Sequence, residues 1–533
     1  MNPLLYVDAY KINHQKMYPD GMTKLYSNFT PRKSRIAGID KVVVFGIQHF
    51  ILEYLIKQFD QQFFKKLNYI NFSNSAKISI DEAKERIKTH TISEYKKHCN
   101  VDTTHIEALW DLGYLPIEIK SLDEGTLCPI GVPMLTITNT HPDFGWLVNY
   151  LETLLSCMLW QPITSATIAH EYKKILNKYA LETTGSTEGV QWQGHDFSMR
   201  GMSSVESAIL SGMGHLISFT GTDTIPAIYQ LENSYKAKGL IGASVPATEH
   251  SVMCMGTKES EIDTFKRLLE LYPTGILSVV SDTWDLWKVC TEYLLALKEE
   301  ILKRDGKLVI RPDSGNPVDI ICGYVDGIDS KGYPKPYPTN QSNPKENYES
   351  EFKGVIELLW DIFGGTINEQ GYKVLDPHIG AIYGDSITMD RAVQICERLK
   401  AKGFASTNIV LGIGSYTYQY NTRDTFGFAM KATYGEITHE LSEEDFDDDY
   451  SGNGDFIEAR EIFKDPITDD GTKKSKKGLL AVFDETGKGK YFVQDQCTWE
   501  MEQSGELKTI FKNGKLIKET TLEEIRDRLN KQI

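Results

Sequence analysis

The chain has 533 residues, of which 41% are hydrophobic and 25% are charged, a composition typical of a globular protein with a sizeable core and two or three domains. Its formal net charge of −16 disfavours binding to nucleic acid or to an anionic membrane, because both need a basic surface. A small anionic ligand is still compatible with that charge, since a few arginines and lysines suffice for a local pocket. Eight scattered cysteines without a C-x-x-C pair, and the lack of a bilayer-length apolar stretch or a signal-peptide pattern, predict a reduced cytoplasmic protein.

The N-terminal part of the chain predicts an α+β domain spanning 1–160, which residues 432–533 complete. The runs 42–67 and 144–160 have apolar residues at helical spacing, so each predicts a helix. Between them, residues 116–138 alternate apolar and polar side chains with a period of two and contain glycine turns. This pattern predicts a small antiparallel sheet.

The middle of the chain, 161–431, alternates apolar strand-like runs with helical patterns, which indicates a parallel sheet. Seven of these runs, one of them at 215–219, lead into a polar cluster; in chain order the clusters lie at 195–200, 221–223, 244–250, 281–282, 311–313, 384–385 and 412–415. So many polar strand ends favour an irregular (β/α) barrel, whose catalytic groups gather at the carboxyl rim. The alternative is an open doubly wound sheet, whose site would draw on strands near one switch point. Residues 323–350 are rich in Pro, Gly, Asn and Tyr and predict a surface insertion within this domain.

Three aspartates, Asp282, Asp313 and Asp385, each follow a different predicted strand. A single aspartate in such a position is usually a helix N-cap or part of a structural ion pair. Three at one rim instead suit Mg²⁺ that already carries substrate phosphates. The sequence RPDSGNP at 311–317 leaves both interpretations open, because its arginine and aspartate can pair with each other or belong to a site.

Glycine turns at Gly384 and Gly414 follow the last two strands and can offer backbone N–H groups to a phosphate, although ordinary turns between a strand and a helix have the same pattern. Arg423 and Lys431 come shortly afterwards. They can supply the countercharge for a phosphate or form surface salt bridges.

Two further clusters suggest ligand chemistry. His250 stands beside Glu249, which suits phosphate contact or phosphoryl transfer, although a lone histidine is more often structural. Phe197 and Arg200 offer an aromatic face and a planar cation, a pair able to stack on a flat heteroaromatic ligand, whereas edge packing is the default for a phenylalanine.

Taken in order, these clusters resemble the nicotinamide phosphoribosyltransferase family, one of the type II phosphoribosyltransferases. The matching stretches span nearly the whole chain and are DAYK at 8–11, HDFSMRG at 195–201, GTDT at 221–224, SVPATEH at 244–250, SVVSD at 278–282, RPDSGNP at 311–317, GD at 384–385, TRD at 422–424, FKDP at 463–466 and SKKG at 475–478. The turn at 412–416 reads GIGSY and departs from the expected glycine-rich turn. The resemblance implies an irregular (β/α) barrel of the type II kind plus an α+β domain, with an antiparallel sheet built from N- and C-terminal segments.

The resemblance also implies a reaction. Nicotinamide would attack C1 of phosphoribosyl pyrophosphate, giving nicotinamide mononucleotide and pyrophosphate in NAD salvage, with Mg²⁺ as cofactor. ATP would be a coupled co-substrate whose hydrolysis proceeds through phosphorylation of His250. The family further implies a homodimer with its active sites at the subunit interface.

Residue roles follow from the same resemblance. Phe197 and, from the other subunit, Tyr10 would sandwich the pyridine ring, while Arg200 and Asp223 would hold the carboxamide. The negative charge of Asp223 would also repel the carboxylate of nicotinic acid. The remaining implied roles are substrate binding by Ser244, Ser278, Arg311, Gly384, Asp385, Gly414, Arg423, Lys431 and Arg32, catalysis by His250, Asp313 and Asp282, and metal binding by Asp313 and Asp282.

Two rival functions remain open on the sequence. A nicotinate phosphoribosyltransferase would need a cation where Asp223 stands. A catalytically idle binding or signalling protein on the same fold is disfavoured, because Arg200, Asp223, His250 and Asp313 are all intact.

Overall fold

The computed structural model of the protein describes residues 3–64, 102–323, 348–384, 386–439, 456–468 and 476–532, with the single positions 85, 89, 92, 93, 96 and 97. Most of the predicted insertion at 323–350 lies outside the described residues, and so does Asp385. The chain forms two compact units. The first consists of Met1–Thr164, Glu232–Ala237 and Thr422–Ile533, and the second of Ser165–Leu231 and Lys238–Asn421.

The N-terminal segment of the first unit contains five strands and a long helix. The strands are β1 (Met22–Pro31), β2 (Lys41–Val43), β3 (Ile117–Ser121), β4 (Leu127–Pro129) and β5 (Leu135–Asn139), and 3₁₀ turns cover Pro3–Leu5, Ala9–Lys11 and His14–Lys16. Helix α1 (Ile47–Phe50) continues as a π-helix over Ile51–Phe63. The predicted helical start at residue 42 was wrong, because Val42 and Val43 pair with β4 and the left-handed Gly46 (φ 88°) precedes α1.

The other predicted helix, at 144–160, is longer than expected and broken near its start. Helix α2 (Thr104–Leu112) precedes β3, and the segment that starts near 144 comprises a 3₁₀ turn at Pro142–Phe144 and the helices α3 (Gly145–Tyr150) and α4 (Glu152–Thr184). Helix α4 extends past Trp160 because its apolar face continues: Ile163, Ala166, Ala169 and Tyr172 are all buried at three-residue spacing.

The second unit alternates strands with helices. Its strands are β6 (Gly194–Asp196), β7 (Gly221–Thr222), β8 (Thr274–Val280), β9 (Asp305–Arg311), β10 (Gly365–Ile367), β11 (Lys373–Leu375), β12 (Ile379–Tyr383) and β13 (Ile409–Ile413). Its helices are α5 (Val205–Leu216), α6 (Ile225–Tyr235, whose last turn belongs to the first unit), α7 (His250–Met255), α8 (Glu261–Leu271), α9 (Leu286–Lys288), α10 (Leu294–Ala296), α11 (Lys298–Leu302), α12 (Pro317–Cys322), α13 (Tyr348–Phe363), α14 (Met389–Ala401) and α15 (Ser415–Tyr418). Short 3₁₀ turns lie at Val190–Trp192, Met199–Gly201 and Ser406–Asn408, and Val289–Tyr293 is a π-helical turn.

Six of these strands form one parallel sheet in the order β7-β6-β13-β12-β9-β8. The stretch 243–248 pairs with both edges of that sheet, Ala243 with Gly221 of β7 and Ala247 with Ser278 of β8. It therefore joins the two edge strands and closes the sheet into an irregular barrel. The predicted fold class is confirmed, because the strands of the described residues close on themselves and do not form an open doubly wound sheet.

One predicted strand of the barrel was wrong. Residues 215–219 form the end of α5 and the turn that follows it, and the strand that precedes Asp223 is only the two-residue β7. A short apolar run cannot by itself distinguish a strand from a buried helix end.

The C-terminal segment completes the first unit. It contains a 3₁₀ turn at Arg423–Thr425, the strands β14 (Phe428–His439), β15 (Phe456–Glu461), β16 (Leu479–Asp484), β17 (Tyr491–Cys497), β18 (Lys508–Lys512) and β19 (Lys515–Leu516), and the helices α16 (Trp499–Ser504) and α17 (Leu522–Asn530). A seven-stranded antiparallel sheet runs β15-β14-β1-β5-β3-β18-β19, so three N-terminal strands lie between two pairs of C-terminal strands, and the sheet is built from both segments as predicted. Within the described part of the chain, no helix combines the length and the apolar character needed to cross a membrane.

Candidate active site

The parallel strands of the second unit bring polar turns to one rim, because parallel strands end on the same side of a sheet. Every described strand end of the barrel contributes such a turn. The residues that follow or end these strands are Phe197 after β6, Asp223 after β7, His250 after the stretch 243–248, Asp282 after β8, Arg311 and Asp313 at β9, Gly384 after β12 and Gly414 after β13.

His250, Asp282 and Asp313 form a compact cluster at this rim, with one ligating atom of each residue within 4.8 Å of the others. His250 Nε2 lies 3.2 Å from Asp313 Oδ1, and His250 Nδ1 lies 3.3 Å from the hydroxyl of Thr283. The three residues come from three neighbouring segments of the barrel. The structure thus brings together the three residues that were expected to be catalytic.

Asp282 connects two strand ends through one carboxylate oxygen. Its Oδ2 accepts hydrogen bonds from the backbone N–H groups of Asp313 (2.9 Å) and Ser314 (2.8 Å) and from the Ser314 hydroxyl. Its Oδ1 is buried and has no hydrogen-bond partner among the described residues. Together with Asp313, this unsatisfied oxygen forms a hard donor set that fits Mg²⁺.

Arg311 does not pair with Asp313: among the described residues no salt bridge joins them, and Arg311 Nη2 donates to the backbone oxygen of Thr248 (2.5 Å). Its guanidinium carbon lies 5.9 Å from the centre of the Phe197 ring. Burial lowers the pKa of Arg311, while the charges of Asp313 and Asp223 raise it. Arginine keeps its charge under such conditions, so the rim has a half-buried cation beside an aromatic face.

Asp223 is held by two side-chain donors. His195 Nε2 lies 2.9 Å from its Oδ1, and the hydroxyl of Ser244 donates to the same oxygen at 2.5 Å. Burial opposes ionisation of Asp223, but these hydrogen bonds and the positive charge of Arg311 outweigh it and lower the pKa of the carboxyl group. The rim therefore has an ionised acceptor close to its cation.

Two glycines at this rim are closely packed. A Cβ at Gly412 would lie 2.5 Å from the backbone oxygen of Tyr383 and 2.8 Å from Cδ2 of Phe197. A Cβ at Gly384 would lie 3.2 Å from Cβ of Asp313. Both glycines let the ends of β12 and β13 approach the site closely.

The other predicted residues of the second unit have fewer contacts. Ser278 on β8 is buried, and its hydroxyl has no hydrogen-bond partner in the described part of the protein. Arg200 is exposed on its 3₁₀ turn, and its charge contributes to lowering the pKa of Arg311. Gly414 immediately precedes α15. Asp385 lies outside the described residues, so its expected role stays a prediction.

Four predicted residues lie in the first unit. Tyr10 is 65% exposed, and its ring centre lies 5.4 Å from that of His14. The charges of Arg32, Arg423 and Lys464 all act on Lys431, so these residues form a basic cluster, of which only Lys464 was not predicted from the sequence. Partial burial and then the neighbouring charges of Arg32, Lys464 and Arg423 lower the pKa of Lys431, while Glu152 raises it. Such a cluster of cations is suited to a polyanion.

Sequence reasoning missed two residues that the structure places at the rim. His195 lies in the HDFSMRG stretch, but only Phe197 and Arg200 of that stretch were predicted to contact a ligand. Thr248 was not predicted either, although its carbonyl accepts a hydrogen bond from Arg311. The only available signal was position, since both residues lie at strand ends of the barrel.

Comparisons with known proteins are consistent with this geometry. Residues 192–445 match the nicotinate phosphoribosyltransferase (NAPRTase) family, and residues 2–119 match the nicotinamide phosphoribosyltransferase N-terminal domain. The nicotinamide phosphoribosyltransferase of Acinetobacter baylyi is 48% identical over all of this chain and 98% of its own length. This chain belongs to the nicotinamide phosphoribosyltransferase family.

Two further relatives of the same name are less similar to this chain than the Acinetobacter baylyi protein is. The Mycoplasma pneumoniae protein is 37% identical over 81% of this chain and 88% of its own length, and the Xanthomonas campestris protein is 31% identical over 98% and 97%. Among solved structures, a nicotinate-nucleotide pyrophosphorylase from Pyrococcus furiosus has a TM-score of 0.54 at 14% identity, covering 100% of this chain and 95% of that one. That similarity supports the fold alone.

Proposed function

We propose that the protein transfers the 5-phosphoribosyl group from phosphoribosyl pyrophosphate to nicotinamide, releasing pyrophosphate and forming nicotinamide mononucleotide for NAD synthesis. The observation that carries this proposal is the grouping of Phe197, Asp223 and Arg311 at one rim of the barrel. An aromatic face, an ionised hydrogen-bond acceptor and a half-buried cation are the groups that a pyridine carboxamide and a sugar phosphate need.

The base is held by stacking and by its carboxamide. Phe197 supplies one aromatic face, and an exposed Tyr10 from a second subunit supplies the other. Arg200 donates to the carboxamide oxygen, and Asp223 accepts from its NH₂ group. Ser244, hydrogen-bonded to Asp223, completes this end of the pocket.

The sugar phosphate and the leaving group use separate sets of cations and backbone donors. Arg311, Ser278, Gly384, Asp385 and Gly414 bind the ribose and its 5′-phosphate. The cations of the first unit, Arg32, Arg423 and Lys431, bind pyrophosphate, and the effect of the charges of Arg32 and Arg423 on Lys431 supports that role.

The chemical step needs positioning and charge rather than a covalent intermediate. The nitrogen lone pair of nicotinamide attacks C1 of the ribose while the bond from C1 to pyrophosphate breaks, so positive charge develops on the sugar. The carboxylate of Asp313 stabilises that charge, and Asp282 holds the turn that carries it. Asp282 and Asp313 would also hold Mg²⁺, which neutralises the negative charge of the leaving pyrophosphate.

ATP is the coupled co-substrate in this proposal. An imidazole nitrogen of His250 takes the γ-phosphoryl group, and ADP leaves. The hydrogen bonds to Asp313 and Thr283 orient the ring for this step and support the assignment. The proposal further includes a cytoplasmic homodimer that completes each site with Tyr10 of the second subunit.

Incubation of the protein with phosphoribosyl pyrophosphate, Mg²⁺ and either nicotinamide or nicotinate, each with and without ATP, tests the proposal. We expect nicotinamide mononucleotide from the amide alone, more product with ATP, and an acid-labile phosphate on the protein that His250→Ala abolishes. The absence of mononucleotide from both bases would refute the transferase assignment. Product without any effect of ATP would refute the phosphohistidine step only.

A further inference from the structure

The dipeptide His195-Asp196 at the end of β6 fixes Asp223 from two directions. The backbone oxygen of Asp196 accepts from the N–H group of Asp223 at 3.0 Å. The Asp196 carboxylate accepts from the hydroxyls of Thr222 (3.3 Å) and Thr224 (2.8 Å), which flank Asp223 in sequence. The side chain of His195 bonds to the carboxylate of Asp223 itself. Both the backbone and the side chain of Asp223 are thereby immobilised by adjacent residues of one strand.

The two donors to Asp223 act on the same oxygen. His195 Nε2 and the Ser244 hydroxyl both lie within hydrogen-bond distance of Oδ1, at 2.9 and 2.5 Å. Oδ2 has no hydrogen-bond partner among the described residues. A carboxylate held in this way presents one fixed and unsatisfied oxygen to the site.

We propose that His195 and Ser244 determine whether the amide or the acid, nicotinamide or nicotinate, is accepted. They hold Oδ1 of Asp223 in place, so that Oδ2 is the oxygen that contacts the substituent of the pyridine ring. An N–H donor of a carboxamide satisfies Oδ2. A carboxylate has no proton to donate and is repelled by the negative charge. His195 is therefore a positioning residue for specificity, and this inference rests on the function proposed above.

The His195 ring has little freedom to leave this position. Its centre lies 4.4 Å from that of Phe197, the residue proposed to stack on the base. Gly221 is also close, since a Cβ there would lie only 2.7 Å from Nδ1 of His195. The same ring thus packs against the proposed stacking residue and fixes the hydrogen-bond acceptor for the base.

Three variants test the inference: His195→Leu removes the donor, His195→Gln keeps a side-chain N–H at a similar reach, and Ser244→Ala removes the second donor. For each variant, kcat/KM is measured for nicotinamide and for nicotinate, and the dissociation constant of each base is measured by calorimetry. We expect the preference for nicotinamide over nicotinate to fall roughly tenfold or more in His195→Leu, since a hydrogen bond to a charged group is lost. His195→Gln should retain most of the preference, and Ser244→Ala should reduce it.

The matched control is His378→Gln. His378 also pairs with an aspartate in the second unit, Nδ1 lying 2.7 Å from Asp376 Oδ1, but it precedes β12 and lies away from the carboxyl rim. This control should keep the wild-type preference. Equal losses for both bases in His195→Leu, or an unchanged ratio, would overturn the inference. If the wild type binds both bases but forms no nucleotide, the proposed function fails, while the ratio of dissociation constants still decides the role of His195.

Discussion

At the scale of single residues, the site depends on how closely backbone and side chains approach one another. Gly412 leaves room for Phe197 and for the carbonyl of Tyr383, and Gly384 leaves room for Asp313. The side chains predicted to carry chemistry are therefore positioned partly by residues that have no side chain. Polar clusters in the sequence identify the side chains with predicted chemistry, whereas only the structure explains the role of the glycines.

Gly412→Ala should damage the site. The added methyl group would lie 2.5 Å from the Tyr383 carbonyl and 2.8 Å from the Phe197 ring, so one of them has to move. We expect a loss of about 1–3 kcal/mol in the free energy of unfolding, as for other overpacked cores, together with a higher KM for nicotinamide. Urea denaturation and steady-state kinetics measure both effects.

Gly380→Ala is the control for that change, because its added methyl group would meet only the flexible side chain of Lys307, at 3.2 Å. This variant should resemble the wild type in stability and kinetics. Equal behaviour of the two alanine variants would contradict the packing argument.

At the scale of elements, the stretch 243–248 closes the barrel although it is not a regular strand. It pairs with β7 on one side and with β8 on the other, and it carries Ser244 and Thr248 toward the rim and leads directly into His250. The Thr248 hydroxyl accepts from the N–H group of Val280, and the Thr248 carbonyl accepts from Arg311. Barrel closure and the placement of Arg311 thus depend on one short segment.

Thr248→Val should weaken that closure. Valine has nearly the same shape as threonine but leaves the buried N–H group of Val280 without its acceptor, which lies 2.9 Å away in the native protein. The expected cost is about 1–3 kcal/mol of unfolding free energy, measured by urea denaturation. Thr366→Val, at an exposed position on β10, is the control and should have little effect. An unchanged stability for Thr248→Val would show that the hydrogen bond is dispensable.

At the scale of the whole molecule, the first unit is assembled from distant parts of the chain. In its antiparallel sheet, the N-terminal strands β1, β5 and β3 lie between C-terminal strands on both sides. Beside it, the buried Glu124 accepts hydrogen bonds from the N–H groups of Gly46 and Gln48 and from the hydroxyl of Tyr235. Gln48 in turn exchanges two hydrogen bonds with the backbone of Thr520. One polar network therefore holds four separate segments together.

Glu124 should make the stability of the protein depend on pH. Burial raises the pKa of Glu124 to about 7, although the hydrogen bonds to the carboxylate oppose that effect. In the unfolded chain a glutamate titrates near 4.3. At pH values between these two pKa values, the folded state binds a proton on Glu124 that the unfolded chain does not. The stability from this group is therefore lost as the pH rises from about 4.3 to about 7.

Glu124→Gln removes this titration. As the pH rises over that range, the unfolding free energy of the wild type should fall relative to that of the variant. Urea denaturation at several pH values measures this difference. Glu188→Gln, at an exposed position, should leave the wild-type profile unchanged. A difference that is constant with pH would contradict the raised pKa of Glu124.

The amino-acid sequence by itself determined the class of fold and most of the polar rim. Alternation of apolar runs and helical patterns is a local property, and parallel strands necessarily end on one side, so residues such as Asp282, Asp313 and His250 could be expected to meet. Local patterns did not distinguish the end of α5 at 215–219 from a strand. They also placed the start of α1 too early, since the pairing of β2 with a distant strand is not encoded locally.

Only the tertiary structure decided which atoms of the site form hydrogen bonds with one another. Hydrogen bonds between residues far apart in sequence fix this pattern. His195 and Ser244 both bond to one oxygen of Asp223. Arg311 donates to the carbonyl of Thr248, and His250 bonds to Asp313. The sequence left open whether Arg311 and Asp313 pair with each other. The structure shows that they bond to different partners, because barrel closure brings the stretch 243–248 and α7 against the end of β9.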